Sequence, residues 1–152
     1  MKYPVLLTIA LLCTLFSATG FSQNANGTKT QLFSSFPSKI NCSETELSKI
    51  FAAAVNQNII VAFSDNFLID GTVTSNIVKY SNLQTVVIKS PLFADAIFVL
   101  SKITNTDNSI TYVGRIINKK YFDGYELKKD NHNNYQLIKI ETDKVMQDCS
   151  HS

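Results

Sequence analysis

The chain of 152 residues has no tryptophan, only two histidines, three cysteines, three prolines and five glycines. Each scarcity removes a class of function. Without tryptophan the usual sugar-stacking platform is missing. Two histidines and three cysteines are too few for most zinc frameworks, and no His-Glu-x-x-His or calcium-loop spacing occurs. Five unclustered glycines leave no phosphate cradle, and no Gly-x-Ser-x-Gly elbow is present. Neither sign of charge dominates: 14 Lys and Arg against 12 Asp and Glu leave a formal charge of +2. A nucleic-acid binder of the electrostatic kind shows a dense basic patch, so no nucleic-acid partner is expected.

What is present is an ordinary globular composition, 45% hydrophobic and 17% charged, with a mean hydropathy of +0.03. Length allows one domain and not comfortably two. Met1-Lys2 gives a positive start, and Val5 to Phe16 is an apolar run broken only by Thr8 and Thr14, followed by small Ser17, Ala18 and Gly20. The run falls short of the roughly 20 residues a membrane span needs, and it reads as a secretory signal cut after Gly20 or Ser22. The expected organisation is a signal over 1–22, a flexible leader over 23–38 and one globular domain over 39–152. No membrane span is expected after cleavage, and the address is secreted or periplasmic. Cleavage removes Cys13 and leaves Cys42 and Cys149, which an oxidising compartment would join as a disulfide; two separate buried thiols are the alternative.

Ser43-Glu44-Thr45-Glu46 has the form of a capping box. Leu47, Ile50, Phe51 and Ala54 follow at helical spacing, so a helix of about three turns is expected, ending at Asn56-Gln57-Asn58. Strands are then expected over 59–63, 67–75, 83–89, 96–104, 110–118, 125–128 and 135–142, separated by turns such as Thr106-Asp107-Asn108-Ser109. No second helix is available for parallel crossovers. The fold class is therefore α+β, mostly β: one N-terminal helix, then a bent antiparallel sheet or small barrel of about seven strands.

Candidates for chemistry are sparse. His132 sits in the Asn-rich loop 130–134, which suits a solvated turn better than a general base. Glu126 and Glu141 both lie on strands, and a glycosidase pair would depend on their separation. No catalytic residue, metal ligand or cofactor is assigned. The remaining candidate is a binding surface, in which Tyr121, Phe122 and Tyr125 lie beside Lys119 and Lys120, aromatics with neighbouring cations.

Two resemblances accompany these readings. Residues 47–89 resemble the first half of an Sm-like barrel, with a short helix before Asn58-Ile59-Ile60-Val61-Ala62-Phe63, then Gly71-Thr72-Val73 and Asn82-Leu83. The resemblance implies a helix leading into a small bent barrel. The Asp-x-x-Met-Asn and Ile-Arg-Gly stretches of that family are missing, so its RNA binding does not follow. Gly20-Phe21-Ser22-Gln23, Gly114-Arg115-Ile116-Ile117-Asn118, Asp123-Gly124-Tyr125-Glu126-Leu127 and Gln147-Asp148-Cys149-Ser150 are similar to small secreted proteins of the Bacteroidota. That resemblance implies an address and no activity. The expected function is an exported, non-catalytic binding or structural module whose partner is a protein or glycan. A small secreted hydrolase, or an inhibitor or chaperone-like partner of another exported protein, are the alternatives.

Overall fold

A computed structural model of the chain describes residues 29–143. The proposed signal and Cys149 lie outside the described residues. Eight strands form one antiparallel sheet: β1 (Lys39–Cys42), β2 (Asn58–Ser64), β3 (Phe67–Tyr80), β4 (Leu83–Ser90), β5 (Ala96–Thr104), β6 (Ile110–Ile117), β7 (Asp123–Lys129) and β8 (Tyr135–Glu141). Helix α1 (Glu44–Ile50) stands between β1 and β2, and a 3-10 turn (Pro91–Phe93) between β4 and β5. The spatial order β1-β8-β7-β6-β5-β4-β3-β2 is a meander in which the first strand has crossed to the far edge and pairs with the last. The edge strands β1 and β2 then lie beside each other, so the sheet curls into a nearly closed barrel.

The seven strands expected after the helix are all present, and the eighth precedes it. Strand β3 runs five residues further than expected, because Asn76, Ile77 and Val78 pair with Val86, Thr85 and Gln84. Alternation places Val61, Phe63, Phe67, Ile69, Val86, Ile88, Phe98, Leu100, Ile116, Leu127 and Leu137 inside. These side chains fill the barrel, leaving a packed core where a wider barrel would hold a ligand.

Helix α1 is two turns long, shorter than its spacing predicts. The Ser43 hydroxyl caps it by accepting the Thr45 N–H at 3.2 Å. Glu46 turns to Lys49 instead of back to the cap. At the other end Asn76 Nδ2 donates to the carbonyls of Phe51 (3.1 Å) and Ala53 (2.8 Å), and Gln84 Nε2 donates to Phe51 as well. Those carbonyls are thereby satisfied by β3 and β4, and the chain leaves the helix through i→i−3 turns. The consequence is that Ala53 is buried and Ala54, expected on the inner face, is exposed. Leu47, Ile50 and Phe51 are buried as expected and close one end of the barrel.

The other end is closed by part of the segment expected to be a flexible leader. Phe33 has no exposed surface and packs against Phe36, Phe67, Phe93 and Tyr125, with ring centroids 5.2–6.3 Å apart. Its backbone is gripped by two charged side chains. Asp123, 2% exposed, accepts the N–H groups of Leu32 (2.6 Å) and Phe33 (2.9 Å). Lys139 Nζ donates to the carbonyls of Phe33 (2.7 Å) and Phe36 (2.8 Å), and the Tyr125 hydroxyl donates to Pro37 at 2.6 Å. Residues 32–37 are thus an ordered plug. Asp123→Asn keeps one acceptor oxygen and turns an NH2 toward a buried N–H. The expected loss is about 2 kcal/mol in urea melts, with faster amide exchange at Leu32 and Phe33.

At Gly114 strands β5 and β6 leave no room for a side chain. A Cβ there would stand 2.7 Å from the Val99 carbonyl and 3.0 Å from Leu100 Cδ1. Gly114→Ala should therefore force β5 and β6 apart and lower stability by about 1–3 kcal/mol, read from denaturant midpoints.

Candidate binding groove

The surface expected around the β6–β7 turn is only partly assembled. Lys119 and Lys120 are exposed there, and Tyr121 and Phe122 are half-buried. Tyr125 is fully enclosed, because inward alternation on β7 carries its ring into the plug cluster and Pro37 takes its hydroxyl. It is a core residue and belongs to no surface. Burial raises its phenol to about 12, with the nearby Asp123 adding to the effect.

The chemical candidates are kept apart. Glu126 pairs in register with Ile138, and Asp123 with Glu141. Ile138 and Glu141 are three residues apart on β8, which aims Glu126 and Glu141 at opposite faces. His132 lies on the exposed loop, where its N–H and that of Asn134 are accepted by Asp130 Oδ1 at 2.8 and 2.9 Å. These backbone donors, Asn134 foremost, hold the Asp130 carboxyl below its usual range. Cys42 is 7% exposed, and burial pushes its thiol up to about 12 despite a backbone hydrogen bond from Leu137. Such a thiol is a poor nucleophile near neutral pH. Among the described residues no group of three His, Cys, Asp or Glu could hold a metal ion. No described helix is long and apolar enough to cross a membrane.

A more substantial concavity lies on the outer face of β5, β6 and β7, with a volume of about 770 Å³. Strand pairing explains where it lies. Strands β5 and β6 pair from Ile97–Ile117 to Thr104–Ile110, whereas β6 and β7 pair only over Gly114–Ile116 with Leu127–Tyr125. Beyond Gly114 the two strands part. Tyr135, reaching across from β8, fills the inner side of the gap: its hydroxyl accepts the Tyr112 N–H at 2.9 Å. The outer side is the groove.

Its floor consists of the outward side chains of β5 and β6: Val99 and Ser101, then Val113 and Ile117. The wall carries charge. Glu126 Oε1 accepts from Arg115 Nε (3.2 Å) and Nη2 (2.9 Å), and its Oε2 accepts from Lys128 Nζ at 2.7 Å. Partial burial alone would raise the Glu126 carboxyl; Lys128 and Arg115 outweigh it and hold the group below its usual range. Lys129 also lines the groove, its ammonium 4.9 Å from the Tyr135 ring centroid. No family model, curated protein or solved structure matches the chain.

No single residue of the sequence marks the groove. Each of its residues reads as an ordinary β-former or a solvated charge. A signal is nonetheless present: 97-IFVLSKI-103 and 110-ITYVGRII-117 carry apolar residues in both alternation phases.

Proposed function

We propose that this chain is an exported, non-catalytic binding module that engages a protein partner through the groove on β5, β6 and β7. One observation carries the reading: β5 and β6 are apolar on both faces. Inward, Ala96, Phe98, Leu100 and Ile116 fill the barrel; outward, Ile97 (41% exposed), Val99, Val113 (44% exposed) and Ile117 face solvent. Antiparallel strands with one solvated side ordinarily alternate apolar with polar, and two apolar faces characterise strands covered on both. A protein suits this floor better than a glycan, because no exposed aromatic ring lies on it.

A photo-crosslinking side chain placed at Val113, with the exposed Val55 in the turn after α1 as a control, tests the reading in producing cells. Discrete adducts from Val113 alone are expected. Adducts of equal yield from both positions, or none, would overturn it. Substrate turnover by the folded chain that disappears in Glu126→Gln would return the hydrolase alternative.

Export brings the Cys42–Cys149 disulfide with it as part of the proposal. Cys42 pairs with Tyr135, at the opposite end of β8 from Glu141, roughly 20 Å back along the strand. The eight residues from Glu141 to Cys149 can span up to about 27 Å, so the tail has the reach. Non-reducing peptide mapping should recover the two cysteine peptides linked; two alkylatable thiols in the exported protein would refute the pairing.

A further inference from the structure

Resting on the binding reading above, we infer that the groove selects an extended segment of its partner with the pattern apolar-x-acidic-x-apolar. The argument is one of register and charge. Along β6 the outward side chains run Val113, Arg115, Ile117. Alternate residues of any extended chain stand about 6.8 Å apart, so a segment lying along β6 meets these three with every second side chain. The middle position is cationic and the outer two are apolar. Charge on the wall points the same way: Arg115, Lys128 and Lys129 outnumber Glu126.

Glu126 already shows what the site accepts. Its carboxylate takes both Arg115 contacts on one oxygen and the Lys128 contact on the other. Arg115 and Lys128 remain about half exposed at 46% and 55%, so each has donors left for a second carboxylate. An acyl chain with an anionic head would satisfy the same charges. It would favour an enclosed cavity, however, and the interior that could enclose it is filled by Phe33, Phe67 and Phe98. The open groove favours a polypeptide.

The test measures fluorescence anisotropy of labelled Ser-Val-Thr-Glu-Thr-Val-Ser with the full chain. One control replaces Glu by Lys. A second moves Glu one position, to Ser-Val-Glu-Thr-Thr-Val-Ser, which turns the carboxylate to the opposite face of the extended peptide. The first peptide should bind about tenfold or more tightly than either control. Arg115→Gln and Lys128→Gln should each weaken it severalfold and flatten its salt dependence, while Glu126→Gln, which vacates the cations, should strengthen it. Circular dichroism melts check that each variant is folded. Equal binding of the three peptides, no saturable binding, indifference to both Gln variants, or displacement of all three by myristate alone would overturn the inference. Val113 adducts together with any of these results would leave a protein-binding groove of different selectivity. Loss of the adducts would remove the binding reading itself.

Discussion

Phe33→Ala should lower the unfolding free energy by about 3–5 kcal/mol, the range for removing a buried aromatic ring. The ring is fully enclosed and touches Phe36, Phe67, Phe93 and Tyr125, each from a different part of the chain. Little can collapse into the space, because Asp123 and Lys139 fix the backbone on both sides of it. The effect would be a large share of the ~5–15 kcal/mol that stabilises a typical domain. Urea melts with an unchanged m-value would locate the effect in the folded state. A loss under about 1 kcal/mol would mean that residues 32–37 do not close the barrel.

At the opposite end, Phe51→Asp should cost about 4 kcal/mol or more and leave little folded protein. Phe51 is 7% exposed and stacks on Tyr112 at 5.8 Å, with Lys102 Nζ 5.2 Å from its ring centroid. A carboxylate there would lose its water, and Lys102 is the one cation described against this ring. Glu44→Ala in the exposed first turn should change stability by well under ~1 kcal/mol, through the helix dipole alone. Equal urea midpoints for the two variants would show that Phe51 does not face the core.

These two ends of the barrel differ in how far the sequence announces them. Ser43 and the spacing of Leu47, Ile50 and Phe51 reveal the helix, because capping and 3.6-residue periodicity are local. Its early end is not local. It depends on Asn76 and Gln84, far along the chain, taking the carbonyls of Phe51 and Ala53. The Phe33 plug has no period at all: Leu32-Phe33-Ser34-Ser35-Phe36 reads as polar loop with stray aromatics until Asp123 and Lys139 are brought to it. Strands β2 to β8 were legible from runs of β-branched residues between turn clusters. Strand β1 was not, since four residues with two apolar positions fall below any pattern. The sequence does not place Tyr125, because tyrosine suits both a surface and a core, and the fold decides by giving its hydroxyl Pro37 as a partner. The groove stayed hidden because outward Val and Ile are unremarkable singly; their adjacency depends on the pairing of β5 with β6.

The pairing of β1 with β8 also bears on the order of events after synthesis. Every other ladder in the sheet joins neighbours in sequence through a short turn, and such hairpins form in microseconds. Lys39 meets Ile138 and Cys42 meets Tyr135 only once nearly the whole chain has emerged. The plug waits as well, since its anchors Asp123 and Lys139 come late. Until then Ile40 lacks its partner strand and Phe33 lacks the side chains that anchor it. The slow, cooperative step should be this final long-range closure, which carries the largest loop entropy of any contact in the molecule. Closure of the barrel by β1 should therefore wait until β8 has been made. If the chain is exported as proposed, that delay suits passage through a narrow channel.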